Sequence, residues 1–129
     1  MDSYGILYQG VPSGATLIYT VPERTATSYT LSGETVEVEP SAVVQNVQTM
    51  VTQMILCETT DVQDTIDIYL VPDSSTAAGA GNQVFKDLTV AASSTVQLKL
   101  NWTLGAGETI RVESANGDIT VTLLGIEVK

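Results

Sequence analysis

The chain contains no histidine, so any chemistry must come from carboxylates, hydroxyls, one cysteine or a glycine-rich loop. The most suggestive stretch is TAAGAGNQVF at 76–85, where Gly79 and Gly81 flank an alanine and Asn82 follows. A phosphate-cradling loop needs a strand before it and a helix after it, so that free backbone N–H groups meet the anion. Here the β-branched run QVFKDLTV follows, and no lysine or threonine stands in a Walker position. The loop therefore reads as a connection between strands, its glycines giving backbone freedom at a tight corner. Gly105 and Gly107 read the same way before ETIRVES. As a small-residue tip, Gly79, Gly81 and Asn82 form a candidate contact with a neighbouring subunit.

Carboxylates are the next resource. Glycoside hydrolysis needs only two of them facing each other across a sugar. Glu37 and Glu39 share one face of a strand, and Asp64 and Asp67 flank the start of another. No feature fixes either pair around a cleft, and an aromatic content of 5% leaves little for a sugar to stack on. Asp61, Asp64 and Asp67, or Glu34, Glu37 and Glu39, suggest Ca²⁺ by their crowding. Neither set follows the spacing of an EF-hand loop. Solvated strand faces and turns account for both, and no cofactor or catalytic residue is expected. Cys57 is alone, which excludes an intrachain disulfide, and its MILC setting predicts a buried, inert thiol.

Fifteen acidic residues against five basic give a net charge of −10. Such a field repels phosphate backbones and anionic lipid, so nucleic acid and membrane are disfavoured partners. A basic protein surface or a cation suits it better. No apolar stretch is long enough to span a bilayer, and the first residues lack the basic-then-apolar pattern of a secretion signal. Without one, Asn101-Trp102-Thr103 matches a glycosylation acceptor only by chance.

The elements that carry these groups are strands. With 43% hydrophobic residues, mostly Val, Leu, Ile and Ala, and much Thr, the 129-residue chain suits one β-rich domain. ATLIYTVP predicts a strand with Leu17, Tyr19 and Val21 on one face, closed by Pro22. GETVEVEP alternates cleanly. AVVQNVQTMVTQMILCET competes with a helical stripe, but its β-branched content favours one or two strands. DTIDIYLVP places Ile66, Ile68 and Leu70 together, STVQLKLNWTL does the same for Val96, Leu98 and Leu100, and ETIRVES turns Ile110 and Val112 inward. Asn116-Gly117 signals a hairpin between Val112 and Ile119. LIYTVP and IYLVP echo each other, as two strands of equal role would. The total is eight or nine short strands with turns every 8–12 residues, an all-β antiparallel sandwich or small barrel. Residues 1–14 form a first strand or an arm, and 15–129 the sandwich domain. As an arm, Ile6, Leu7 and Tyr8 would supply the contacts.

The order of phrases adds a further expectation. Tyr19-Thr20-Val21-Pro22 is followed by a hydrophobic run ending Cys57-Glu58, then by IYLVP, the alanine-glycine loop and LGAGETIRV at 104–112. In that order, over about residues 15–128, the chain resembles a group of small structural proteins of tailed bacteriophages. The resemblance implies a virion component with a β-sandwich of jelly-roll type, located on the capsid surface. It implies a decoration, or cement, protein that clamps the major capsid protein and forms a homotrimer, with no catalytic residues to carry over. A tail-fibre or baseplate component and a carbohydrate-binding module are the alternatives. The acidic stretch Glu34–Glu39 departs from the pattern, which makes Glu37 and Glu39 candidates for a partner-specific surface.

Overall fold

A computed structural model describes residues 3–22, 24–25, 28–31, 34–37, 44–45, 47–73 and 75–128, with backbone alone for 3 and for those between 24 and 45. The strands are β1 (Ser3–Gly10), β2 (Gly14–Thr20), β3 (Arg24–Thr25), β4 (Ser28–Leu31), β5 (Glu34–Glu37), β6 (Val44–Gln45), β7 (Gln48–Glu58) and β8 (Asp64–Val71). After a single 3-10 turn at Ala80–Asn82 come β9 (Gln83–Val90), β10 (Thr95–Gly105), β11 (Thr109–Ser114) and β12 (Ile119–Val128).

Eight long strands form two four-stranded antiparallel sheets, ordered β1-β12-β7-β10 and β2-β11-β8-β9. Successive long strands mostly cross from one sheet to the other, and the first pairs with the last. That order is the double Greek key of the jelly roll. The remaining four strands lie in the excursion between β2 and β7, where β4–β5 is nested within β3–β6.

Alternation in the sequence explains the core. Met54, Leu56, Val121 and Leu123 of one sheet and Ile66, Ile68, Ile110 and Val112 of the other are fully buried between the layers. Each such side chain contributes about 1.5–3 kcal/mol over its exposed state. Phe85 on edge strand β9 meets Trp102 on edge strand β10, with ring centroids 6.4 Å apart, and closes one open side of the sandwich. Val44–Gln45 and Gln48–Glu58 are strands, as the β-branched content of this segment predicts. The echoed LIYTVP and IYLVP flank β11 on its two sides, with Tyr19 and Leu70 both opposite Ile110. Their equal role is literal.

Four expectations need correction. β11 and β12 are not a hairpin: β11 pairs with β2 and β8, whereas β12 pairs with β1 and β7. Gly117 does adopt the left-handed backbone, at φ +74, but the turn it makes crosses between sheets. Asp64, at the start of β8, holds that turn, since its Oδ1 accepts the Asn116 N–H at 2.9 Å. In β2 the register shifts between Tyr19 and Leu17, so Ile18 is buried and Leu17 is turned out to solvent. Cys57 is half-buried rather than buried, because the inner positions of β7 at this end go to Leu56 and Glu58. Finally, neither Gly79 nor Gly81 nor Gly105 has a positive φ; of the two predicted glycine corners only Gly107, at φ +84, uses the left-handed region.

Candidate interaction surfaces

The outer face of the β1-β12-β7-β10 sheet is unusual for so acidic a chain. Its register sets Tyr4, Ile126, Met50 and Thr103 in one row across four strands. Ile6, Leu124, Gln53 and Lys99 form the next row. A third row runs from Gln9 through Thr122 and Ile55 to Gln97, and the Gln9 amide donates to the Thr122 hydroxyl at 3.1 Å. Tyr4 and Ile6 are 63% and 60% exposed. Among the described residues no carboxylate points outward from this sheet, and Lys99 is its one charge. The nearest candidate, Glu127, turns inward to accept a hydrogen bond from the Tyr19 hydroxyl at 2.5 Å.

That inward turn has a measurable consequence. The Tyr19 hydroxyl lies between Glu127 and Thr49 Oγ1, 2.8 Å away, inside the sandwich. Burial first, then its bond to the Glu127 carboxylate, raises the Tyr19 pKa above the ordinary 10.0. The folded state therefore holds the proton more tightly than the unfolded one. This contribution to stability is intact below pH 10 and falls as the pH rises beyond it. In a tyrosinate absorbance titration Tyr19 is expected to ionise above the ordinary tyrosine range, together with unfolding. Tyr19→Phe should flatten the alkaline loss of stability, and an unchanged alkaline limb would contradict this assignment.

The opposite outer face carries charges of both signs, with Arg111 and Lys86 beside three carboxylates. Asp67, Asp87 and Glu113 line a cleft of about 390 Å³ together with Thr65, Ser13 and Asn116. A register shift in β9 puts Asp87 at φ 50, and its backbone N–H donates to Asp67 Oδ1 at 2.7 Å. Partial burial, followed by the charges of Asp67 and Glu113, raises the pKa of neighbouring Tyr69. Among the described residues no group of three or more carboxylates, cysteines or histidines is arranged to hold a metal ion.

At the end of the sandwich where β7 gives way to β8, two carboxylates are buried, Glu58 at 1% exposure and Asp64 at 2%. Glu58 Oε1 accepts from the backbone and hydroxyl of Thr60, at 2.9 and 2.7 Å. Asp64 Oδ1 accepts from the backbone of Thr65 and Asn116, at 2.8 and 2.9 Å. These hydrogen bonds lock the two turns. Asp64 stands in the sequence as one of several acids near a turn. Only its place in the Asp64, Ile66, Ile68 alternation signals that it faces inward.

The sequence-predicted contacts are dispersed. Ile6 lies on the apolar outer face, whereas Leu7 and Tyr8, at a register shift in β1, pack partly against the core. Residues Ser3–Gly10 are the edge strand of a sheet. Glu37 ends β5, and Glu39 lies outside the described residues. Gly79 and Gly81 have open space where a side chain would stand. Asn82 Oδ1 accepts the Gly79 N–H at 2.9 Å, which closes the loop on itself. Asp61 is exposed, Asp64 buried, and Asp67 faces the cleft, so the three do not form one site. The surface that sequence reasoning missed is the carboxylate-free face, because membership depends on register across four strands distant in the chain.

The two faces define a jelly-roll module whose exposed chemistry lies in broad surfaces. No protein-family model matches the chain, and no curated protein or solved structure is significantly similar to it.

Proposed function

We propose that the chain is a non-enzymatic structural protein that decorates the head of a tailed bacteriophage, binding the major capsid protein and stabilising the shell. The observation that carries this reading is the contrast of the two outer faces: one holds Tyr4, Ile6, Met50, Leu124 and Ile126 and no carboxylate among the described residues, the other an acidic cleft. An apolar, weakly charged patch marks a surface that gains free energy when covered. An acidic cleft repels polyanions and favours a basic protein surface. A rigid sandwich with both is suited to assembly. The jelly roll serves viral shells and also lectins, so the fold alone does not choose. The acidic cleft has no aromatic side chain in its lining on which a sugar would stack, which weighs against a carbohydrate site there. The order of motifs over residues 15–128 supports the virion reading.

The test is saturable binding of the purified protein to phage heads stripped of it, followed by a map of the decorated particle. Binding with a fixed stoichiometry and a raised shell-disruption temperature is the expected result. Density on the tail alone would move the assignment to a fibre or baseplate part, and no binding to any part of the particle would end it.

A further inference from the structure

We propose that the chain binds a Ca²⁺ ion inside one end of the sandwich, between Glu58, Asp64 and Ser114. Two segments cross between the sheets at this end, 59–63 from β7 to β8 and 115–118 from β11 to β12. In one sheet Glu58 is opposite Ile119. In the other, Ser114 is opposite Ile66, the Ala115 N–H donates to Thr65 O at 2.9 Å, and the Asn116 N–H donates to Asp64 Oδ1. Glu58, Ile119, Asp64 and Ser114 are therefore the last inward-facing layer of the core. Exposures of 1%, 2% and 4% for Glu58, Asp64 and Ser114 leave these polar members almost wholly covered. Each carboxylate uses one oxygen for the turn bonds described above. Glu58 Oε2, Asp64 Oδ2 and Ser114 Oγ are buried and have no hydrogen-bond partner among the described residues.

Charge selects the occupant. A buried carboxylate is stable where a cation or a full set of hydrogen bonds compensates it. Of the described basic side chains, Lys86 lies 4.0 Å from Asp87, Lys99 is opposite Gln53, and Arg111 Nη2 donates to Asp73 O past the far end of β8. None of these contacts lies in the layer. A water molecule would satisfy the three oxygens by donating to both carboxylates and accepting from the hydroxyl, but it would leave both negative charges in the core. A divalent cation neutralises them. The donor set is all oxygen, without thiolate or imidazole, which suits a hard ion. Ca²⁺ accepts an irregular shell of about six to eight oxygens and fills the remaining positions with backbone carbonyls and water, whereas Mg²⁺ demands near-octahedral geometry. Glu58 and Asp64 face inward from sheets about 10 Å apart, so the ion ties the two sheets together at this end.

The site is independent of the shell reading and is tested on the isolated protein. After treatment with EDTA and dialysis, calorimetric titration with CaCl₂ should show one site per chain with a Kd below about 1 mM. In urea unfolding, the unfolding equilibrium constant should fall about a hundredfold when free Ca²⁺ is a hundred times Kd. NaCl at matched ionic strength should not reproduce this, which separates a site from screening of the net charge of −10. Glu58→Gln keeps Oε1 for the Thr60 bonds, removes a ligand charge, and should weaken Ca²⁺ binding at least tenfold. Ser114→Ala is the second variant, should Glu58→Gln fail to fold, and should weaken binding by a smaller factor. Glu113→Gln, in the outer cleft, should leave binding unchanged. The turn bonds of Asp64 Oδ1 are made without the ion, so their effect on stability persists in EDTA. Absence of Ca²⁺ binding overturns the proposal, as does equal stabilisation by NaCl. Binding undiminished in the folded Glu58 or Ser114 variant, or lost on Glu113→Gln, overturns it as well.

Discussion

Gly125→Val is expected to cost the fold about 3 kcal/mol or more, enough to unfold a large fraction of a domain of ordinary stability. Gly125 is buried on the inner side of β12, opposite Val51, where β7 carries Thr52 as an extra residue. A Cβ at this position would run into the backbone carbonyl of Met50 and lie 2.9 Å from Leu7 Cδ1. The leucine end can rotate away. The carbonyl cannot move without breaking the pairing of the two central strands of the sheet. Gly125→Ala should show the same effect at smaller size, about 1–2 kcal/mol. Urea unfolding followed by Trp102 fluorescence measures both. A native midpoint for the alanine variant would mean that the β7 bulge yields, and the close approach would then not be a constraint.

The second large effect belongs to Asp64. Removing its carboxylate in Asp64→Ala leaves the Thr65 and Asn116 N–H groups without their acceptor and should cost about 2 kcal/mol. Asp64→Asn keeps an acceptor oxygen at Oδ1 and should recover more than half of that loss. The difference between the two variants isolates the hydrogen bonds from simple filling of space. Amide hydrogen exchange gives the residue-level readout, with Asn116 and Thr65 exchanging faster in the alanine variant and the centre of β8 changing only as global stability does. Equal losses in both variants would instead place the effect in packing.

These two residues show what the sequence discloses and what it withholds. The strands themselves are legible, because alternation at Ile66 and Ile68 or at Ile110 and Val112 has a period that only a half-buried strand satisfies. The sandwich follows from their number and spacing. Which strands pair is not legible. Asn116-Gly117 looks like a hairpin turn, and its Gly117 takes the conformation a hairpin would use, yet the strands on its two sides belong to different sheets. Local turn chemistry specifies a reversal, but the partners are chosen by the packing of distant strands.

Bulges carry the same lesson. One extra residue at Ile18 reverses the faces expected for Leu17, and one at Thr52 sets the close approach at Gly125. Of the predicted contact residues, Ile6 falls on the apolar face because β1 lies beside β12. Tyr4, Met50, Leu124 and Ile126 join it there only through register. A patch assembled from three separated segments has no signature in any one of them.

The pairing of β1 with β12 also sets a schedule for synthesis. The strand Ser3–Gly10 leaves the ribosome long before Ile119–Val128, its sole partner among the described residues, has been made. At ordinary elongation rates the wait is on the order of ten seconds. During it Tyr4, Ile6 and Leu7 are uncovered beside an unpaired edge, and on a polysome many nascent copies carry the same segment side by side. The hazard of premature pairing between neighbours is greatest there. The glycines at positions 5 and 10, poor strand formers, make the isolated segment a weaker template during that interval.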